Sequence, residues 1–163
     1  MQITELKPID AHIIQDLACR IWPDTFKEIL SPEQLTYMLN WMYSVETLQQ
    51  QMEKGHRFFI IKENEIALGF IGIEPNHPDS GQLKIHKLYI LPDQQGKGLG
   101  KKLIEHTIFL ANEYGLQELV LNVNRFNKAV AFYTHFGFKI SNEENIDIGN
   151  GYLMEDYIMN YEL

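Results

Sequence analysis

Residues Pro92–Leu103 read "PDQQGKGLGKKL" and place three of the chain's eleven glycines, Gly96, Gly98 and Gly100, within five positions. They follow the strand-like run "QLKIHKLYIL" and precede a segment to Tyr114 whose apolar spacing is typical of a helix. Glycine destabilises helices, so three glycines at a helix start need a reason. Amides at a helix start bind anions, and glycine lets a phosphate approach the backbone. The stretch therefore predicts a phosphate-binding loop, and a simple turn or an exposed helix start remains the alternative.

Spacing narrows the kind of loop. A Walker-type loop is excluded because Gln95 stands at its first glycine and Lys102 at its serine or threonine. The dinucleotide fingerprint G-x-G-x-x-G is also excluded. If it is counted from Gly98, Leu103 stands at the position of its last glycine. A third pattern, Q/R-x-x-G-x-G/A, fits Gln95, Gly98 and Gly100 without adjustment.

This third pattern resembles the pyrophosphate loop of the GNAT superfamily, the acyl-CoA-dependent N-acyltransferases. Residues 122–138, "NVNRFNKAVAFYTHFGF", are similar to the family's second cofactor motif, and "LYIL" at 88–91 resembles its splayed central strand. The resemblance covers roughly residues 58–138. It implies acetyl-CoA as the acyl donor and no metal; the spacing of the six histidines likewise fits no known metal motif.

The order of predicted elements is a strand, helices, a run of strands, a helix, a strand, a helix and closing strands. Such an order indicates an α/β (α+β) fold, with a mixed, mostly antiparallel central sheet flanked by helices. The resemblance implies the GNAT-type fold. A length of 163 residues predicts a single domain, 1–163.

The resemblance also implies which residues bind the cofactor. Backbone amides from Gln95 to Lys101 are expected to hold the pyrophosphate, and backbone groups of Leu88 and Ile90 to pair with the pantetheine arm. Asn127 matches a family asparagine that contacts this arm, although capping of the next helix is an equal explanation. The predicted cofactor-binding residues are Leu88, Tyr89, Ile90, Gln95, Gly96, Lys97, Gly98, Leu99, Gly100, Lys101 and Asn127.

Tyr133 matches the family tyrosine that approaches the thioester sulfur. A phenol is protonated at neutral pH and can donate a proton to a departing thiolate. The alternative is a core aromatic beside Phe132. We expect Tyr133 to be the general acid.

The group that removes the acceptor's proton is less clearly marked. Many family members have a glutamate on the central strand, where this chain has Lys84. Strand alternation predicts Lys84, His86, Leu88 and Ile90 on one face and the intervening residues on the other. His86 is therefore the candidate base. Glu74, or backbone carbonyls with water, are the alternatives.

The acceptor side of the family is built from the first two helices and their connection. Here "DTFKE…SPE" resembles the bacterial spermidine/spermine acetyltransferase branch, which implies a small polyamine as substrate. Asp24 and Glu28 could hold an ammonium group, and Phe26 could pack along methylenes. Two alternatives stay open: a protein N-terminus or lysine as acceptor, or a non-catalytic acyl-CoA-binding module, since Lys84 replaces the glutamate.

Charge and composition limit the kinds of partner and the cellular location that we expect for the protein. A net charge of −8 and a pI of about 5.2 argue against nucleic-acid binding and mildly favour cationic substrates. No apolar run reaches the roughly 20 residues of a membrane span, and the first residues lack a signal-peptide pattern. Cys19 is the single cysteine, which excludes an internal disulfide and suits a cytoplasmic protein. The family resemblance makes a homodimer one expectation.

Overall fold

The computed structural model describes residues 1–77 and 79–163. In this part of the chain the helices are α1 Ala11–Phe26, α2 Pro32–Tyr43, α3 Val45–Glu53, α4 Leu99–Glu113 and α5 Ala129–Phe136. The strands are β1 Gln2–Glu5, β2 Arg57–Glu63, β3 Ile66–Glu74, β4 Gln82–Ile90, β5 Glu118–Asn124, β6 Lys139–Asp147 and β7 Leu153–Glu162. Short 3-10 turns at Pro8–Asp10 and Pro92–Gln94 precede α1 and the glycine loop.

The strands form one sheet in the order β1-β2-β3-β4-β5-β7-β6. Strand β4 pairs with β5 in parallel, and every other neighbouring pair of described strands is antiparallel. The predicted mixed, mostly antiparallel sheet with flanking helices is therefore confirmed.

Local sequence signals explain where several elements begin. Ser31 accepts a hydrogen bond from the Gln34 amide at 3.1 Å and caps α2, and Ser44 caps α3 through the Thr47 amide. Asn64 and Glu65 adopt positive φ angles of 50° and 66°, which produces the tight hairpin between β2 and β3.

Strands β4 and β5 pair over a short length and then separate. Their register joins residues 82–85 to residues 118–121, whereas β4 continues to Ile90 and β5 to Asn124. Beyond Ile85 the edge of β4 that faces β5 has no strand partner among the described residues. The separation opens a gap through the middle of the sheet.

A β-bulge in β4 changes the faces that simple alternation predicts. Gly72 of β3 pairs with Lys87 and Ile73 pairs with Ile85, so His86 is an extra residue in β4. The predicted set of Lys84, His86, Leu88 and Ile90 on one face is therefore wrong. Because paired residues share a face, Lys87 and Tyr89 lie with Lys84, and Leu88 and Ile90 lie with Ile85 on the other face.

Helices cover the two faces of the sheet. Phe59 contacts His106 of α4 with ring centroids 4.8 Å apart, so its face of the sheet lies under α4. Phe70 contacts Tyr43 of α2 at 6.1 Å and Tyr89 at 5.8 Å, so the face that includes Lys84 and Tyr89 lies under α1–α3. Among the described helices, none combines the length and apolar character needed to cross a bilayer.

Candidate active site

A cleft of about 1330 Å³ passes through the gap between β4 and β5. One end is formed by the glycine loop and the start of α5, and the other by the end of α1, by α2 and by the adjoining ends of β6 and β7. The lining includes all the predicted cofactor residues except Lys97, together with Asp24, Phe26, Glu28, His86 and Tyr133. The fold thus brings both predicted halves of the site into one continuous cleft.

The three glycines of the loop serve different purposes. Gly96 and Gly98 have φ angles of +77° and +78°, and Gly98 is the N-cap residue that precedes α4. Gly100 is an ordinary helical residue, but an added Cβ would lie 3.2 Å from the ring of Phe132 in α5. Gly98 therefore shapes the amide cradle, whereas Gly100 allows α5 to pack against it.

Polar side chains fix the loop from within. Gln95 donates from Nε2 to the carbonyl of Ile90 at 3.2 Å, which ties the loop to the end of β4. Lys97 donates to the side chain of Gln94 at 3.1 Å, and Lys101 lies 3.8 Å from Glu105 at a solvent-exposed position. Exposed ion pairs are weak, so Lys101 remains free to exchange its partner for a phosphate.

Asn127 and Tyr133 lie on the α5 side of the cleft. Asn127 accepts from the Ala129 amide through Oδ1 at 2.9 Å, so the helix-capping interpretation is confirmed and the side-chain amide keeps its donors. Tyr133 is 6% exposed, packs against Phe132 and Phe138, and lines the cleft. Burial raises the pKa of Tyr133 well above its ordinary value, so the phenol is protonated at neutral pH.

Tyr89 has its ring on the acceptor side. The ring packs against Trp22, Phe26 and Phe70 at centroid distances of 5.7, 6.3 and 5.8 Å. Burial, with smaller effects of Tyr133 and Asp156, raises the pKa of Tyr89 far above its ordinary value. A cofactor contact of Tyr89 therefore falls to its backbone, because the ring forms the floor beneath α1.

His86 lines the cleft and is held from behind by Glu74. Its Nε2 lies 2.8 Å from Glu74 Oε1, and Glu74 is absent from the lining formed by the described residues. Burial raises the pKa of Glu74, but hydrogen bonds from His86 and His77 lower it more, so the group is an ionised carboxylate. Burial lowers the pKa of His86 to about 3, so the imidazole is neutral. The carboxylate accepts from Nε2, which leaves the lone pair on Nδ1.

The cleft also holds a carboxylate that sequence reasoning missed. Asp156 of β7 is 3% exposed, lines the cleft and accepts from Asn122 Nδ2 at 3.3 Å. Burial raises the pKa of Asp156, and the bond from Asn122 and the charge of Lys84 offset part of that rise. In "LMEDYIMNYEL" the acidic residue interrupts an apolar strand, which is the available signal. Its partner strands could not be inferred from that segment alone.

The predicted acceptor residues separate into two kinds. Asp24 and Glu28 line the mouth of the cleft, and Asp24 is an exposed residue 3.7 Å from Lys27. Phe26 is buried and packs against Trp22 at 4.5 Å, so it belongs largely to the core. The mouth is therefore acidic above an aromatic base.

Comparison with known proteins places this geometry in a family. The sequence profile described as the acetyltransferase (GNAT) family matches residues 14–138, which is most of the chain and includes the loop, the central strand and Tyr133. The chain belongs to the GNAT family.

Individual GNAT relatives agree with this assignment. The chain is 33% identical over 108 residues to the N-acetyltransferase YjgM of Escherichia coli; the match covers 65% of this chain and 62% of YjgM. It is 31% identical over 129 residues to the ribosomal protein bS18-alanine N-acetyltransferase of Haemophilus influenzae, covering 78% and 80% of the two chains. The match to YjgM thus spans less than two thirds of that relative's length.

A solved GNAT structure shows the same fold across the chain. The PaiA N-acetyltransferase of Thermoplasma acidophilum, crystallised with coenzyme A, superposes with a TM-score of 0.83 at 24% identity. The superposition covers 99% of this chain and 98% of that one. The splayed β4–β5 pair is therefore part of a complete GNAT fold.

Proposed function

We propose that this GNAT protein transfers the acetyl group of acetyl-CoA to a primary amine, with a small polyamine such as spermidine or spermine as the acceptor. The main support for this function is the continuous cleft through the β4–β5 gap, which joins the glycine loop to an acidic acceptor end. A donor and an acceptor entering from opposite ends would meet in the gap. This arrangement favours direct transfer in a ternary complex.

The donor end supports binding of acetyl-CoA. The amides at the start of α4 provide several hydrogen bonds to a pyrophosphate, and Lys97 and Lys101 stand beside them. The unpaired edge of β4 after Ile85 can bond the amides of the pantetheine arm as an added strand does. Asn127 adds its free amide donors. The coenzyme A in the related PaiA structure supports the same donor.

The acceptor end supports binding of a cation with several charges. Asp24 and Glu28 lie at the mouth, and Asp156 lies inside the cleft. Trp41, which is 49% exposed, also lines this end and provides an apolar face for methylene groups. A polyamine has several ammonium groups along one chain, and these three carboxylates line one cleft.

The chemistry needs one group to remove a proton and one to supply it. Burial lowers the pKa of His86 to about 3, so the imidazole does not keep a second proton; His86 passes the proton of the acceptor ammonium through Nδ1 to solvent, while Glu74 keeps the ring in the required tautomer. The freed amine nitrogen bonds to the acetyl carbon, and the carbon–sulfur bond breaks. Tyr133 donates its phenolic proton to the departing thiolate and regains one from solvent. Asp156 holds the ammonium in place before it is deprotonated.

A panel of amines tests this function. Release of free CoA thiol is followed with purified protein, acetyl-CoA and spermidine, spermine, putrescine, lysine or a peptide N-terminus as acceptors. We expect the highest kcat/KM with a polyamine. Tight acetyl-CoA binding without turnover on any amine would instead support the non-catalytic module suggested by Lys84.

A second acceptor class is supported by the bS18-alanine N-acetyltransferase relative, which matches over 78% of this chain. The wide mouth of the cleft can admit an extended chain end. Mass spectrometry of protein acetylation in cells with and without the gene separates the two acceptors. Gene-dependent acetylation of a protein N-terminus, with no turnover of polyamines, would replace the polyamine proposal.

A further inference from the structure

Three histidines that are distant in the sequence surround one carboxylate. His56 precedes β2, His77 follows β3, and His86 is the extra residue of the β4 bulge. Oxygen Oε1 of Glu74 lies 2.8 Å from His77 Nδ1, 2.8 Å from His86 Nε2 and 3.3 Å from His56 Nε2. The bulge brings the ring of His86 into this cluster, where it stacks on His56 with centroids 4.6 Å apart.

Hydrogen bonding alone satisfies this cluster poorly. A carboxylate oxygen offers about two lone-pair positions, yet three imidazole nitrogens approach the same oxygen of Glu74. The nitrogens compete for one acceptor, whereas a cation at their centre would use the lone pair of each.

The donor atoms are spaced for a metal ion. The ligand atoms of His56, Glu74 and His86 all lie within 4.8 Å of one another. Nitrogen and oxygen ligands at about 2.0–2.2 Å from a tetrahedral zinc ion lie about 3.3 Å apart. His56 Nε2 lies 3.3 Å from Glu74 Oε1, and His86 Nε2 is closer to that oxygen, at 2.8 Å. Two imidazoles with a carboxylate form a donor set that suits zinc, cobalt or nickel.

We propose that His56, Glu74 and His86 form a binding site for a divalent transition metal ion such as Zn²⁺. His77 donates from Nδ1 to the same oxygen of Glu74 and is not one of the three ligands. The ion bonds the Nε2 atoms of His56 and His86 and oxygen Oε1 of Glu74, and each Nε2 proton moves to Nδ1 of the same ring. The site lies behind the cleft wall and is separate from the glycine loop.

Metal binding would affect acetyl transfer. This effect, unlike metal binding itself, rests on the proposed function. A metal on Nε2 of His86 leaves the proton on Nδ1, so the imidazole can no longer accept one from the substrate. The ion therefore inhibits acetyl transfer. Metal binding itself does not depend on that role, so the two proposals can fail separately.

Neighbouring charges limit the affinity. Lys84 and Lys87 lie on the same face of the sheet, and their positive charges disfavour a further cation beside His86. The ammonium of Lys87 is held by Gln51 at 3.1 Å and lies 5.5 Å from the ring centroid of Tyr43. We expect reversible binding that a chelator removes without unfolding the protein.

The test uses the untagged full-length protein, titrated with Co²⁺ by visible absorption and with Zn²⁺ by calorimetry. We expect one ion per chain and the absorption bands of a low-coordinate cobalt site. His56→Gln is expected to weaken binding by about tenfold or more, because it removes one ligand. His12→Gln, at an exposed position on α1, is the matched control and is expected to leave binding unchanged.

The proposal is overturned if no saturable binding occurs, or if His56→Gln and His12→Gln bind the ion equally well. Thermal unfolding checks that each variant is folded. If His56→Gln does not fold, Glu74→Gln replaces it with the same expected loss of binding. Zinc inhibition of thiol release, measured with the best amine of the panel, is the separate readout for His86.

Discussion

Tyr133 combines burial with access to the cleft, which suits a proton donor. We expect Tyr133→Phe to lower kcat by about 10²- to 10⁴-fold, because the variant lacks the proton for the departing thiolate. The Kd for acetyl-CoA is expected to stay unchanged. Stopped-flow kinetics and calorimetry measure the two quantities.

The matched control for this prediction is Tyr161→Phe. Tyr161 packs against Phe136 and Phe138 of the same aromatic cluster, and it is not among the described residues that line the cleft. Its kcat is expected to match that of the parent protein. Equal kcat values for the two variants would remove Tyr133 from the proposed mechanism.

Asp156 is a buried carboxylate whose ionised form destabilises the folded protein. Because its pKa is raised in the folded state, the group stabilises the fold below its unfolded pKa of about 3.9, and that stability is lost as pH rises through the folded pKa. We therefore expect Asp156→Asn to be more stable than the parent at pH 7. The difference should disappear below about pH 4. Thermal unfolding at both pH values measures it.

Asp156→Asn should also raise the KM for a polyamine while leaving the Kd for acetyl-CoA unchanged. Glu144→Gln is the control, because Glu144 is half-buried, accepts from the same Asn122 amide at 3.0 Å and is not among the described residues that line the cleft. If Asp156→Asn is more stable and binds the amine more weakly, the parent protein keeps Asp156 for substrate binding although the residue lowers the stability of the fold. An unchanged KM would mean that Asp156 does not contact the acceptor.

At the scale of elements, helix α4 has a glycine with a positive φ angle at each end. Gly98 at its start has φ +78° and Gly115 beyond its end has φ +68°, and an added Cβ meets no atom within 4 Å at either position. We expect Gly98→Ala and Gly115→Ala to destabilise the protein similarly, by about 1–2 kcal/mol, because both force alanine into left-handed backbone.

Acetyl-CoA binding distinguishes the two ends of α4. Gly98→Ala is expected to weaken it, because relaxing the backbone moves the amides that face the pyrophosphate. Gly115→Ala is expected to leave the Kd unchanged. Calorimetry with chemical denaturation measures both effects, and an equal loss of affinity in both variants would contradict the assignment of the cradle.

At the scale of the whole molecule, contacts distant in sequence close the acceptor end. The Tyr37 hydroxyl of α2 donates to the carbonyl of Ile148 at 2.7 Å, and Gln34 donates to the carbonyl of Leu153 at 3.0 Å. These bonds join α2 to the β6–β7 connection across more than 100 residues. The wall of the acceptor end therefore depends on both.

We expect Tyr37→Phe to raise the KM for the amine several-fold without changing the Kd for acetyl-CoA. Faster amide exchange in residues 148–153 should accompany it, because one tie to α2 is lost. Thr36→Ala is the control on the same helix, since Thr36 bonds the carbonyl of Pro32 within α2. Equal exchange in both variants would show that Tyr37 does not hold the connection.

The features that can be explained from the sequence are local in the chain. Ser31 and Ser44 cap their helices because a side-chain oxygen reaches an amide three residues later, and Asn64 accepts the positive φ of the hairpin. The spacing of Gln95, Gly98 and Gly100 identified the loop for the same reason. Each of these features depends on a few consecutive residues, so the interactions that produce it can be read from the sequence alone.

The features that sequence reasoning missed depend on pairing between strands. The bulge at His86 follows from the register of β4 against β3, and it moves Lys87 and Tyr89 to the face of Lys84. Asp156 enters the cleft because β7 pairs with β5. The histidines meet because the start of β2, the turn after β3 and the bulge of β4 all lie beside Glu74. By itself the sequence determined the family and the sheet class, and it predicted the phosphate loop and the role of Tyr133. Only the tertiary structure decided which charged groups surround the reaction, because one extra residue in a strand reverses every side chain that follows it.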